Sequence, residues 1–422
     1  MTTSQCPAGN TIPDSGDGVV DLDEAFMNDP YQLYELLRTQ RPVTRVRVPM
    51  APPFWLVTKY ADVRAGMTDP RLSKDGGEIA RILRRAAELP EDAVDLDMGL
   101  HDHMLNSDPP KHTRLRKLVN KAFTGRAIDR LRPGIEQLAT DLTEAMAAKL
   151  AAGADSVDLI EGYAFPLPMT VICEILGVPD DRRREFGEWS HTMLTSATPQ
   201  EQMAAAAAMR EYLDELVAAK RAAPGEDIFS AILAPGEGAD QLSPDEATSM
   251  ASLLLMAGHE TTANLISNGV LALLRDPHQL ARLRTDPALL PSAVEEFLRL
   301  ESPVSMATMR FTAEPVTIGD TTIPAGELVL LGIGSANRDP EVFDRPGELD
   351  VGRPKGGHLS FGHGIHNCLG AALARVEGEI AFRVLLDRFP ELTLAVAPGD
   401  LRWRSSILLR GLTSLPVRAG AR

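Results

Sequence analysis

The chain has 422 residues, 44% of them hydrophobic, and a formal net charge of −16; it has the apolar material for a deep core and the wrong overall charge for nucleic acid. Its cysteines, Cys6, Cys173 and Cys368, form no CxxC pair, which argues against a disulfide framework, an iron–sulfur cluster or a structural zinc site. The N-terminus is polar and no run of ~18 apolar residues occurs, so we expect neither a signal peptide nor a membrane span, and a cytoplasmic protein.

Residues 1–25, rich in Gly, Pro, Ser and Asp, are expected as a flexible tail, and residues 26–422 as one mainly helical domain with a minor β portion. Asp29-Pro30 opens a helical pattern through YQLYELLR, after which VTRVRV and FWLVTKY suit two strands joined by the turn PMAPP. The segment from Arg71 to Ser107 has weaker order and is expected as a mobile loop region, ending at Asp108-Pro109-Pro110. In DPPKHTRLRKLV, His112 and Arg116 fall one turn apart on one helix face, a pattern that by itself suits a solvated basic helix. Ala-rich helical patterns fill about 127–150 and 200–222, VTIGDTTIPAGELVLL suits a hairpin, and the last residues look extended.

The strongest helical pattern runs from Pro244 to Arg275. It opens on a capping box, Ser243 to Glu246 with Pro244 at the first helical position, and stops at Asp276-Pro277. As one continuous helix it would extend about 48 Å at ~1.5 Å per residue. Residues 251–257 are apolar on every face, so its middle is expected to be buried. Yet that middle carries Gly258-His259-Glu260-Thr261-Thr262, where a glycine costs about 1 kcal/mol and a buried carboxylate needs a partner. A packing glycine with a threonine hydroxyl bonded back to the preceding turn would account for part of this. An HExxH zinc site is excluded because residue 263 is alanine.

Two further patterns lie downstream. Glu296 and Arg299, at i and i+3, form an ExxR pair among apolar neighbours, which alone would be an ordinary salt bridge. FGHGIHNCLG, Phe361 to Gly370, sets Cys368 among glycines just ahead of the helical run LGAALARVEGEIAFRVLL.

Taken together these residues resemble the bacterial cytochrome P450 family, the haem-thiolate monooxygenases, from about Asp29 to the C-terminus. FxxGxxxCxG is met by Phe361, Gly364, Cys368 and Gly370, the oxygen-binding motif by Ala257, Gly258, Glu260 and Thr261, and ExxR by Glu296 and Arg299. The resemblance implies the family's single triangular, mainly α fold with a long central helix over haem b (iron protoporphyrin IX). Cys368 then matches the thiolate ligand to iron, beside glycine turns and ahead of a helix N-terminus that favours an anion. His112, Arg116, Arg310 and His366 match the propionate ligands, while Glu296, Arg299 and, by its position in ANRD, Arg338 match a structural ion-pair triad. Ala257 and Gly258 leave room for dioxygen, and Glu260 and Thr261 match a proton relay. Asn367 departs from the family pattern, which more often has an apolar or aromatic residue before the ligand.

The resemblance further implies O2-dependent hydroxylation of a bulky, largely apolar natural product of macrolide, polyketide or steroid-like type. Electrons would come from NAD(P)H through a separate ferredoxin reductase and ferredoxin, since the chain has no second flavin or NAD domain. Substrate contacts are expected from Ile79 to Asn106, from about 182 to 222, from Leu253 and Met256, from Val304 to Thr308 and from Ser406 to Leu408. Arg114, Lys117 and Lys121 share a helix face and are expected to form a positive docking patch. Epoxidation, desaturation, ring coupling or direct use of peroxide remain alternatives at the same haem, and a haem-binding sensor without turnover is the alternative of another class.

Overall fold

The computed structural model describes residues 12, 16, 18–49, 51–86, 100, 102–194, 198–235 and 240–419. The chain forms two compact units, one built from 1–91, 267–368 and 396–415, the other from 92–266, 369–395 and 416–422. One domain was expected from residue 26 onward because no Gly- or Pro-rich linker interrupts the sequence. The boundaries between the units fall after residues 91, 266, 368, 395 and 415, the second of them inside the helix Glu260–Arg275.

The first unit is organised on a six-stranded sheet in the order Val20–Asp21, Val43–Arg47, Phe54–Val57, Leu328–Leu331, Arg310–Thr312, Leu72–Ser73. Val43–Arg47 and Phe54–Val57 form the expected antiparallel pair, with Thr44 opposite Leu56. Leu328 and Leu330 pack on one side with Phe54, Leu56, Tyr34 and Leu37, and Val329 and Leu331 on the other with Val57, Val63 and Ile323. This is the two-residue period of a strand buried on both faces. The expected hairpin also forms, Val316–Ile318 against Thr321–Ile323, but its third stretch joins the large sheet instead.

Two expectations in this unit need correction. The tail is ordered well before residue 26: Val20–Asp21 pairs in parallel with Val46–Arg47, Val20 and Leu22 are fully buried, and Asp23 caps the helix Glu24–Asn28 by accepting from Phe26 N. Part of the expected loop region is likewise regular, as the strand Leu72–Ser73 and the helix Gly76–Ala86. Asp75 Oδ1 accepts from Glu78 N, a side-chain cap that outweighs the two glycines at the start of that helix. Residues 87–99 and 101 of the same region lie outside the described residues.

The second unit is mainly helical. Gly125–Ala151 packs against Ala371–Arg388, and Tyr163 Oη donates to Ala381 O at 2.9 Å across the same core. Pro199–Ala222, opened by a Thr198–Glu201 capping box, packs on Arg183–Leu194 and on Pro244–Gly258. A three-stranded sheet, Thr393–Leu394, Pro416–Arg418, Val157–Asp158, completes it. Among the described residues no helix is long and apolar enough to cross a membrane.

The expected continuous central helix is two helices, Pro244–Gly258 and Glu260–Arg275, broken at His259. The Ser243 capping box and the stop before Asp276 are as expected. At the break three side chains bond carbonyls of the preceding turn. His259 Nδ1 lies 2.8 Å from Leu255 O, Thr261 Oγ1 donates to Ala257 O at 2.8 Å, and Thr262 Oγ1 to Gly258 O at 3.3 Å. Back-bonding of this kind bends helices.

Candidate active site

In the first unit the loop around Cys368 is shaped by two glycines with φ of +72° and +77°, Gly362 and Gly364. At Gly364 a side chain is also blocked by space, because a Cβ would stand 2.7 Å from Thr68 Cγ2. Cys368 N donates to Phe361 O at 2.8 Å and closes the loop. Asn367 has a role the sequence did not disclose: its side-chain amide donates to Phe361 O and Gly362 O at 3.2 and 3.4 Å, tying the two ends together. The Cys368 thiol is exposed. Cys173 in the second unit is buried, and burial pushes its thiol up to about 12; it packs as an inert side chain. Cys6 lies outside the described residues.

Arg310 and the thiol loop converge on one turn of the same unit. Arg310, only 4% exposed, donates through Nη2 to Met67 O at 3.5 Å, and Gly364 packs against Met67 and Thr68. His366 is half-buried on the loop itself.

The loop is held from behind by a buried network. Arg299 clasps Glu296 with two bonds of 2.7 and 2.8 Å and donates to Asn337 O at 2.9 Å. Asn337, fully buried, accepts from Leu359 N at 2.7 Å and donates to Ser360 Oγ at 2.8 Å. The ion pair is thus connected to the residues leading into the thiol loop.

The third member expected for that network was misassigned. Arg338 donates to Leu300 O and to Glu301 Oε1 at 3.0 Å, and stacks over Tyr31. It is Arg353 that reaches Glu296, with Nε 2.9 Å from Oε2. Glu301 forms a second buried cluster: desolvation alone would raise its carboxyl, but Arg338 and Arg410 outweigh this and hold it below the usual range.

In the second unit the broken central helix presents an open face. Residues 247–255 and 259–260 are buried, whereas Ala257 is exposed and Met256, Gly258 and Thr261 are partly so. Ala257 and Thr261, one turn apart, therefore share this opening. Gly258 has a different reason to be small, since a Cβ there would lie 2.9 Å from Ile172 Cδ1 on the helix Pro166–Leu176. The Glu260 side chain is fully buried.

One buried acid was missed. Glu377, on Ala371–Arg388, is 2% exposed; desolvation pushes its carboxyl up to about 8, and a bond to Thr262 only partly offsets that. A signal was present, because 373, 376, 377 and 380 form one apolar helical stripe interrupted only by this glutamate.

His112 is buried and Arg116 half-buried on the helix Lys111–Asn120. The positive patch expected on the same helix is largely consumed within the molecule. Arg114 pairs with Asp240 at 3.1 Å and with Glu246, and Lys121 Nζ donates to Ala234 O at 2.5 Å.

The first unit by itself offers an exposed thiol on a glycine-turned loop and the buried Arg310, and the second by itself the buried His112 and an opening at Ala257 in an otherwise buried helix; a thiol, donors for carboxylates and open space beside small side chains are groups that suit a haem. The family model for cytochrome P450 matches residues 86–395. Cytochrome P450 107B1 of Saccharopolyspora erythraea is 50% identical over 421 residues, covering 100% of both chains. The vitamin D(3) 25-hydroxylase of Pseudonocardia autotrophica is 46% identical over 400 residues, covering 94% of this chain and 95% of the relative. The solved structure of the tirandamycin C-bound P450 monooxygenase TamI superposes with a TM-score of 0.86 at 50% identity, covering 95% of this chain and 100% of that one. The chain belongs to the cytochrome P450 family and is a haem-dependent, O2-using monooxygenase of that family.

Proposed function

We propose that the protein hydroxylates a bulky, largely apolar natural product, with Cys368 as the iron ligand and electrons delivered from NAD(P)H by a separate ferredoxin reductase and ferredoxin. The observation that carries the site is the exposed Cys368 thiol on a loop whose turn at Gly364 has no room for a side chain. Bound haem supplies the iron at which dioxygen is reduced and cleaved, one atom entering the substrate and the other leaving as water. His112, Arg116, Arg310 and His366 would hold its propionates. Ala257 leaves space on the helix opening, and Thr261 with Glu260 would pass protons into it; the Thr261 hydroxyl, bonded to Ala257 O, is partly exposed there.

The substrate class is supported by the relatives: one is named a vitamin D(3) hydroxylase and another was solved with tirandamycin C bound. The apolar side chains near Val304–Thr308 and Ser406–Leu408 suit such a molecule, while much of the expected contact stretch from Ile79 to Asn106 lies outside the described residues.

The ferrous carbon monoxide complex tests the ligand. The wild type should show the red-shifted Soret band of thiolate ligation, and Cys368→Ala or Cys368→His should lose it; a retained band would move the ligand elsewhere. A compound screen read as a Soret shift, followed by product mass analysis, tests the substrate: a gain of one oxygen atom is expected, and loss of two hydrogens would instead favour desaturation or coupling.

A further inference from the structure

We propose that Arg410 is a positioning residue for substrate: its guanidinium clamps the two strips expected to meet substrate, 304–308 and 406–408, onto the end of the N-terminal helix Glu24–Asn28. The inference deepens the proposed function and rests on the substrate contacts proposed for those strips.

Within the first unit the strips are joined by little backbone of their own. Residues 402–404 and 411–413 form a short hairpin, with Trp403 opposite Leu412 and Arg404 N donating to Gly411 O at 2.9 Å, and its tip carries Ile407 and Leu408. The tip meets the other strip through Ser305 N donating to Leu408 O at 2.7 Å, Arg410 N donating to Pro303 O at 2.9 Å, and one bridge between Val304 and Leu409. A two-stranded piece this short is marginal by itself. Val304, Ile407 and Leu408 are only half-buried, which leaves them area for an apolar ligand and limits what their packing contributes to holding the strips.

The side chain of Arg410 supplies the rest of the hold. It is 7% exposed and reaches three acceptors: Nε donates to Glu301 Oε2 at 3.0 Å, Nη1 to Met27 O at 3.0 Å and Nη2 to Asn28 O at 3.1 Å. Met27 and Asn28 end their helix, where the last carbonyls have no intrahelical amide to accept from and favour a cation. The guanidinium also lies 3.6 Å from the Trp403 ring centroid, on the hairpin itself, and Asn268 Nδ2 donates to Arg410 O at 2.9 Å. A planar fork can serve two carbonyls and a carboxylate at once; the compact ammonium of a lysine, on its flexible stem, cannot hold all three in that arrangement. The N-terminal segment thereby shapes the substrate wall without being part of it.

The test uses the holoenzyme and two iron-binding probes titrated by Soret shift: imidazole, which has no apolar body, and 1-tritylimidazole, which carries three phenyl rings. Ile407→Ala, which trims a strip directly, should weaken the trityl compound about tenfold. Arg410→Ala and Arg410→Lys should weaken it by a similar factor while keeping imidazole affinity within about twofold of the wild type; the lysine variant keeps a cation beside Glu301 and carries the test if the alanine variant does not accumulate. Arg338→Ala, which takes the other arginine from Glu301 and bonds neither strip, should bind both probes as the wild type does. Wild-type affinity for the trityl compound in either Arg410 variant, beside a weakened Ile407→Ala, would overturn the clamp and leave the strips as substrate contacts. Equal losses for the two probes, or the same loss in Arg338→Ala, would also overturn it, since both mark general damage. An unaffected Ile407→Ala would remove the substrate role of the strips and the clamp with it.

Discussion

Arg353 and Glu296 meet at 2.9 Å inside the first unit, so the carboxylate carries two guanidiniums, with Arg299 as the other. Glu296 is 2% exposed and also accepts from Asp350 N. Removing Arg299 leaves a buried carboxylate with one cation and should cost about 3–5 kcal/mol. Arg353→Leu should cost less, because the bidentate bond to Arg299 persists. Arg338→Ala should act on the Glu301 cluster and leave the thiol loop intact. The rate at which the ferrous carbon monoxide complex loses its thiolate band in denaturant should therefore rank Arg299→Ala fastest, Arg353→Leu next and Arg338→Ala near the wild type.

Thr261→Ala should bind haem and fold normally but divert electrons into hydrogen peroxide, since the hydroxyl on the open face is removed. Peroxide yield per NAD(P)H, measured with the first compound the screen identifies, checks it. Unchanged coupling would take Thr261 out of proton delivery.

Glu377 gives a pH dependence with a definite sign. Its carboxyl titrates near 8 in the folded protein against an ordinary value of 4.5. Between those values the folded state holds a proton that the unfolded state releases, so stability falls as pH rises through this window and levels off above it. The full effect is at most about 5 kcal/mol. Glu377→Gln should flatten the curve and raise the melting temperature most at alkaline pH; parallel curves for the two proteins would show that the carboxyl is not protonated at neutral pH.

Gly258→Ala should be destabilised by about 1–3 kcal/mol through overpacking against Ile172. Ile172→Val, which removes the Cδ1 methyl that the new Cβ would strike, should recover most of the loss in the double variant. Gly364→Ala has no such remedy: its φ of +77° and the contact with Thr68 both oppose a side chain. Haem retention after dilution, compared for the three variants, separates a local clash from a backbone requirement.

Much of the chemistry was legible because it is carried by residues at fixed short spacing. The thiol loop, the ExxR pair and the Ser243 capping box each announce themselves within ten residues. What was missed depends on partners far apart in the chain. Arg353 reaches Glu296 across 57 positions, and nothing in its own neighbourhood distinguishes it from Arg338. His259 was passed over as one member of a weak helical stretch, because its contact with Ser190 spans 69 positions. Glu377 did leave a trace, a charge on an apolar stripe, but its partner Thr262 lies on another helix. The helix Gly76–Ala86 was hidden by two glycines at its start, although Asp75 stood ready as its cap.

The pairing of Val20–Asp21 with Val46–Arg47 bears on how the chain tolerates trimming. Leu22 N donates to Arg47 O at 2.7 Å and Arg47 Nε bonds Asp21 at 2.8 Å, so this short segment covers the outer edge of the large sheet. A version starting after residue 22 would leave the Val43–Arg47 strand with open amides and carbonyls and uncover the apolar side of Val46 and Phe54. Such an edge is a template for a second molecule. Shortening the N-terminus past residue 18 should thus appear first as concentration-dependent self-association and insoluble expression, ahead of any change in the spectrum of the bound haem.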